Sequence, residues 1–176
     1  RVIWRFFIPG DDLIERERRD KVPYTYWVEN GYVIATPGQT IDHDLVEQEI
    51  LALAAKYEIT EIAYDPWQAA GVSAHLEQAG FTLIPTYQRY SSMASPTKDF
   101  ERLVLDGDLA HGGNPVMRWM IASTEVKSDR QGNIMPMKPK RGAGGKRIDG
   151  VVAAIMALDR VIRHSDETAQ VEVYAE

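Results

Sequence analysis

Two aspartates stand where carboxylates can hold a divalent cation. Asp65 follows the segment Glu61–Tyr64, which is predicted to be a strand, and directly precedes a proline. Asp149 lies in the first turn of a predicted helix, Ile148–Ile162, after a basic glycine-rich stretch. Ligands meet open α/β sheets at the carboxyl ends of the strands, and carboxylate oxygens suit Mg²⁺ or Mn²⁺. Two such ions about 3.5–4 Å apart activate water and stabilise the leaving oxygen in phosphodiester cleavage.

Helix capping is the alternative role for both acids. A carboxylate satisfies free backbone N–H groups at a helix start and is favoured there by the helix dipole. Local sequence favours capping and ligand binding about equally for Asp65, and it favours capping for Asp149. Two carboxylates are also too few for a two-metal site. Asp42 or Asp44 could lie nearby, but both are better explained as acids at the start of the predicted helix Asp44–Tyr57.

A basic, glycine-rich segment precedes the last predicted helix. Five positive charges fall within ten residues: Lys138, Lys140, Arg141, Lys146 and Arg147. Such clusters contact phosphate backbones, and the glycines between them permit close approach of a ligand. A solvated loop is the alternative. The segment is not a nucleotide-binding P-loop, because the glycine spacing fails and Arg147 stands where that motif has a hydroxyl residue.

Two further residues are weaker candidates for DNA contacts. Lys98 is predicted near the start of a helix that opens at Pro96, after a loop over Gln88–Ser95. His111, in the sequence AHGGNP, could act as a base or contact a phosphate, although a loop histidine beside two glycines is more often structural. The four tryptophans are not interleaved with basic residues, so we expect them in the core or at its rim.

The order of the predicted elements indicates an α/β fold. Short strands alternate with amphipathic helices, and a β-hairpin that turns at Asp129–Asn133 precedes the last helix. Asn114 is the expected N-cap of a helix that begins at Pro115. The charged segment Leu13–Asp20 is predicted to form a short helix in which five charged side chains are solvated: Glu15, Arg16, Glu17, Arg18 and Arg19.

Length and composition limit the classes of protein that remain. The 176 residues suit one domain, which we place at 1–163, followed by a polar tail at 164–176 that is expected to fray. The absence of cysteine excludes a disulfide scaffold, a thiol nucleophile and a zinc–thiolate site. The net charge of −6 argues against a protein that coats duplex DNA. The longest apolar runs are too short to span a membrane.

Several stretches combine into the pattern of a known family. The chain resembles the C-terminal nuclease domain of the large terminase subunit of tailed bacteriophages, from about Arg5 to Arg160. The stretches that carry the resemblance are VPYTYW, TPG with IDHD at Pro37–Asp44, IAYDPW at Ile62–Trp67, SPTKDFERLVLDGDLAHGGNPVMRWM at Ser95–Met120, and RIDGVVAAIMAL at Arg147–Leu158.

The resemblance implies a fold, a site and a reaction. The fold is RNase H-like, with a mixed sheet flanked by helices, and the site holds two Mg²⁺ or Mn²⁺ ions that cut double-stranded DNA. Asp65 matches the acid at the end of the family's central strand, and Asp149 matches the acid that begins the last helix. The family's first-strand acid, in a motif like D-L-S-x-x-x-D, and its ATPase domain do not occur in these residues. We therefore expect a nuclease domain without its first strand, cut from a larger motor protein, with little cleavage by itself.

The family also implies partners and a place of action. These are double-stranded concatemeric DNA, the small terminase subunit and the portal, in the cytoplasm of an infected bacterium, with no membrane. One rival is a non-catalytic docking module of the packaging motor, in which both acids only cap helices. Another is a different RNase H-fold enzyme, such as a junction resolvase.

Overall fold

Helices alternate with short strands along the chain. The computed structural model describes residues 2–67, 69–139 and 145–173. Helices within this part are α1 (Leu13–Asp20), α2 (Tyr24–Glu29), α3 (His43–Ala54), α4 (Ala70–Gln78), α5 (Tyr90–Leu105), α6 (Pro115–Ala122) and α7 (Asp149–Val173). Strands are β1 (Phe7–Pro9), β2 (Ile34–Thr36), β3 (Ile62–Tyr64), β4 (Leu83–Pro85), β5 (Glu125–Ser128) and β6 (Ile134–Met137). No helix of the described part has the length and apolar character needed to cross a bilayer.

The described residues group into two compact units. Among these residues, the first unit comprises 2–58, 107–125, 136–139 and 145–151, and the second comprises 59–67, 69–106, 126–135 and 152–173. The described strands pair two by two: β1 with β2 and β3 with β4 are parallel pairs, and β5 with β6 forms the predicted hairpin. Parallel pairs need crossover connections, which the intervening helices supply.

The core of the first unit is built around aromatic and sulfur-containing side chains. The centre of the Trp27 ring lies 5.5 Å from the centre of the Trp119 ring and 5.9 Å from the centre of the Tyr24 ring. Asn114 caps α6 as predicted, because its side-chain oxygen accepts the N–H groups of Val116 and Met117. The buried apolar residues of this unit are Val22, Tyr24, Trp27, Val33, Val116, Met117, Met120, Ile148 and Val151.

The core of the second unit lies along α5 and α7. Met93, Pro96, Thr97 and Phe100 are buried on α5 at helical spacing, and they form one face of that helix. The buried apolar residues of this unit are Leu76, Met93, Phe100, Val152, Ile155 and Met156.

Three predicted boundaries are wrong. The β-branched and aromatic residues of Arg1–Ile8 predict a strand that ends at Pro9-Gly10, but β1 covers only Phe7–Pro9; Phe6 adds one hydrogen bond to the pair, because its carbonyl accepts the N–H of Ile34. The loop expected over Gln88–Ser95 is largely helical, since α5 begins at Tyr90 and contains Pro96 in its interior. The last helix continues to Val173 rather than ending at Ile162. The division into a domain at 1–163 and a tail at 164–176 stays a prediction.

Candidate functional site

Asp65 lies at the carboxyl end of a strand in the second unit, as the sequence predicts. It directly follows β3, whose Tyr64 is paired in register with Pro85 of β4. The two strands are parallel, so the segments that follow them emerge at the same edge. The N–H group of Thr86 donates to the carbonyl of Tyr64 at 2.8 Å, which extends the ladder to this edge.

Both carboxylate oxygens of Asp65 accept a hydrogen bond. The backbone N–H of Trp67 donates to Oδ1 at 3.0 Å, and the side-chain amide of Gln88 donates to Oδ2 at 2.6 Å. Asp65 is not the N-cap residue of the next helix, because α4 begins after Ala69. The capping alternative therefore does not explain this acid. Its bonds instead fix the carboxylate at the strand end.

An open cleft of about 350 Å³ adjoins Asp65. Three residues from the turn after β3 and three from the segment after β4 line it: Asp65, Pro66, Trp67, Tyr87, Gln88 and Arg89. The Trp67 side chain is 84% exposed, so the expectation that this tryptophan lies in the core or at its rim is wrong.

Asp149 belongs to the first unit and begins α7. Its side chain is 65% exposed, and its Oδ1 atom lies 3.1 Å from the ammonium nitrogen of Lys138. The predicted acid and one of the predicted DNA-binding cations are thus paired with each other. At this exposure the ion pair contributes about 0–1 kcal/mol, so a stronger ligand of either group can displace it.

The other predicted basic residues fall in different surroundings. Lys146 and Arg147 are exposed in the first unit, and the charge of Arg147 helps to lower the pKa of the buried Asp20, after the larger effect of its hydrogen bond from Arg19. Lys140 and Arg141 lie outside the described residues. Whether the segment contacts DNA stays a prediction.

Lys98 and His111 lie in two different units. Lys98 is exposed in the middle of α5, not near a helix start as predicted, because α5 begins earlier than Pro96. Its charge contributes to the lowered pKa of Asp129, which is caused mainly by the hydrogen bond from Asn133. His111 is half-buried: its carbonyl accepts the indole N–H of Trp4 at 3.3 Å, and its Nδ1 atom is buried without a partner in the described part.

Sequence reasoning overlooked the residues that follow β4. Tyr87, Gln88 and Arg89 line the Asp65 cleft, although the sequence assigned Gln88 to a polar loop without a role. A usable signal was present, because a segment that follows a strand parallel to β3 must emerge beside Asp65. Within the described ranges, no group of three or more His, Asp or Glu side chains is arranged to hold a metal ion.

A comparison of the sequence with known families identifies one that covers most of the chain. The family described as the terminase large subunit, endonuclease domain, matches residues 5–165. The chain belongs to this family, as the motif resemblance predicts.

Two individual proteins are similar in sequence to most of this chain. The chain is 31% identical to protein YmfN of Escherichia coli strain K12 over 93% of this chain and 36% of the relative. It is 29% identical to the terminase large subunit of Enterobacteria phage HK97, over 87% of this chain and 30% of that protein. The chain thus spans about a third of the length of these relatives.

A solved structure supports the fold. The crystal structure of the HK97 bacteriophage large terminase superposes with a TM-score of 0.77 at 27% identity, over 90% of this chain and 34% of that one. The predicted RNase H-like α/β fold is confirmed by this likeness.

Proposed function

We propose that the chain is the metal-dependent endonuclease part of a phage DNA-packaging terminase, which cuts double-stranded concatemeric DNA. The observation that carries the proposal is the carboxylate of Asp65, held by two hydrogen bonds beside an open cleft at the end of β3. Family membership supplies the reaction class. The proposed partners are DNA, the small terminase subunit and the portal, and the proposed place of action is the cytoplasm of an infected bacterium.

The chemistry of Asp65 fits a hard divalent cation such as Mg²⁺ or Mn²⁺. Within the described part each of its oxygens accepts one hydrogen bond, and a carboxylate offers about four acceptor positions, so the same carboxylate can also bind a cation. Hydrogen-bonded carboxylates are well-oriented metal ligands. Ions bound there would supply Lewis-acid stabilisation of the phosphate oxygens and a nucleophile at neutral pH.

Asp149 is proposed as a second ligand in its own unit. Its exposed carboxylate is paired with Lys138, and a pair this exposed is easily displaced. Lys138, once released, is free to pair with a DNA phosphate. In this proposal a cation takes the place of Lys138 beside Asp149, and a DNA phosphate takes the place of Asp149 beside Lys138.

The remaining basic residues are proposed as phosphate contacts. They are Lys98, His111, Lys140, Arg141, Lys146 and Arg147. Charge reversal of Lys140 and Arg141 should weaken DNA binding and reduce the dependence of the affinity on salt concentration. An unchanged salt dependence would remove this segment from the DNA interface.

Removal of each acid in the full-length protein tests the proposal. Asp65→Ala and Asp149→Ala should each abolish Mn²⁺-dependent plasmid cleavage and leave the circular dichroism spectrum unchanged. Asp44→Ala is the matched control, since Asp44 is also an exposed acid in the first turn of a helix. Undiminished cutting by either of the first two variants contradicts the assignment. Faster cutting of branched than of linear DNA by the unaltered protein would favour a junction nuclease instead.

A further inference from the structure

Two exposed aromatic residues line the cleft that Asp65 also lines. The side chain of Trp67 is 84% exposed and that of Tyr87 is 51% exposed, and both line the same cleft as Asp65. An exposed indole does not contribute the free energy that its burial would supply to folding. Exposed aromatic rings are typical of binding surfaces. These rings are therefore available to a ligand that presents a flat apolar face.

An arginine completes this surface. The guanidinium carbon of Arg89 lies 4.9 Å from the centre of the Tyr87 ring. Arg89 is exposed, and its guanidinium forms no hydrogen bond or ion pair with any other residue of the described part. A guanidinium that stacks on an aromatic ring keeps its N–H donors available at its edge, which suits a phosphate oxygen. We call Trp67, Tyr87 and Arg89 the aromatic–arginine cleft.

We propose that the aromatic–arginine cleft binds a DNA nucleotide whose base is unpaired, next to the phosphate to be cut. The Arg89 guanidinium holds a backbone phosphate, and the Trp67 indole stacks on the base. This proposal rests on the proposed nuclease function and specifies its substrate. In an intact duplex the faces of the bases are covered by their neighbours, so an aromatic ring stacks only on a base that has left the helix. The cleft therefore favours DNA that is locally opened at the cleavage position.

Binding of two labelled duplexes by the full-length protein tests the proposal. One duplex is fully paired and the other carries a short central mismatch, and fluorescence anisotropy is measured with a metal chelator at several salt concentrations. The native protein should bind the mismatched duplex about 5- to 100-fold more tightly, as expected for stacking on one base. Trp67→Ala should remove this preference, and Trp67→Phe should retain most of it.

The contribution of Arg89 appears in the salt dependence. Arg89→Ala should reduce the slope of log affinity against log salt by about one for both duplexes. Leu105→Ala and Arg18→Ala are the controls, because Leu105 is 79% exposed outside the cleft and Arg18 is an exposed arginine of α1. Both controls should bind like the native protein.

Three results would overturn the inference: equal affinity of the native protein for the two duplexes, a preference that survives Trp67→Ala, or an unchanged salt slope in Arg89→Ala. Cleavage by the native protein and by Asp65→Ala, measured separately with Mn²⁺, tests the proposed function. No cutting by the native protein rejects the nuclease assignment, and full cutting by Asp65→Ala rejects the role of Asp65; neither result changes the binding result. Loss of cutting without any effect of Trp67 or Arg89 on binding rejects only the cleft.

Discussion

The side-chain nitrogen of Gln88 lies 2.6 Å from Oδ2 of Asp65, so the segments that follow two parallel strands are joined by a hydrogen bond. Asp65 is the first residue after β3, and Gln88 is the third residue after β4. The orientation of the acid thus depends on the register of its neighbour strand as well as on its own turn. A residue without an acidic or basic group thereby becomes part of the candidate site.

Gln88→Ala should impair catalysis more than binding. Loss of the hydrogen bond frees one oxygen of Asp65, and removal of such a partner from a ligating carboxylate costs about 10–100-fold in metal affinity or activity. The concentration of Mn²⁺ for half-maximal plasmid cleavage should rise, whereas the affinity for DNA without metal should stay unchanged. Gln78→Ala, at the exposed end of α4, is the control. Cleavage by Gln88→Ala with the native Mn²⁺ dependence would mean that Gln88 does not position Asp65.

The ion pair between Arg160 and Glu61 should make the free energy of unfolding depend on pH in acid. Arg160 donates from two nitrogens to Glu61, at 2.6 and 3.2 Å, and both side chains are less than one-fifth exposed. The hydrogen bond from Arg160 holds the pKa of Glu61 below its usual value. A lowered carboxyl pKa stabilises the folded state above the unfolded pKa of about 4.3, and this contribution is lost as the pH falls through the folded pKa.

Glu61→Gln should therefore destabilise the protein by about 1–2 kcal/mol at pH 7 and progressively less as the pH falls below about 4. Urea unfolding at a series of pH values measures the difference. Asp106→Asn is the matched control, because its pair with Arg102 is more than half exposed on both sides and contributes about 0–1 kcal/mol. A difference between Glu61→Gln and the native protein that persists unchanged in acid would contradict the linkage.

Local signals explain which parts of the fold were predictable. The helix Leu13–Asp20 and the Asn114 cap were predicted correctly, because charge clustering and capping residues act within a few positions. The start of α5 was not. Proline inside a helix costs about 3 kcal/mol, so Pro96 suggested a helix start, yet packing of Met93, Pro96 and Phe100 on one face overrides that cost.

In the candidate site, too, residues marked by their neighbours in sequence are predictable, and residues placed by the pairing of distant strands are not. Asp65 was identified because an apolar strand precedes it and a proline follows it, both within its own segment. Local patterns do not place Gln88 and Arg89 beside it, because their proximity depends on the parallel pairing of β3 with β4, which are separated by a helix. The exposure of Trp67 was equally inaccessible, because composition alone places a tryptophan in the core.

Substitution by alanine at two helical glycines should change the free energy of unfolding in opposite directions. A Cβ atom at Gly150 would lie 2.7 Å from Phe6 and 2.8 Å from the sulfur of Met120, whereas one at Gly71 would have, beyond its own helix backbone and chain neighbours, no described atom within 4 Å. Gly150→Ala should therefore cost about 1–3 kcal/mol through overpacking, and Gly71→Ala should stabilise α4 by up to about 1 kcal/mol. Free energies of unfolding from chemical denaturation measure both. Equal effects of the two substitutions would show that the packing at Gly150 adapts without cost.

Tyr24→Phe should weaken the protein at neutral pH and change its behaviour in alkali. The Tyr24 hydroxyl donates to the buried Asp20 carboxylate at 3.1 Å, and burial followed by the charge of Asp20 raises the pKa of Tyr24 to about 12. The substitution should cost about 1–2 kcal/mol at pH 7. Because the raised pKa favours the folded state only while the hydroxyl is protonated, this advantage over Tyr24→Phe is full below about pH 10 and is lost as the pH rises through about 12.

Tyr26→Phe, at a half-exposed position of the same helix, should change the stability by less than about 0.5 kcal/mol. Unfolding free energies measured from neutral to alkaline pH decide the matter, and a difference between Tyr24→Phe and the native protein that stays constant over this range would contradict the role of the buried hydroxyl.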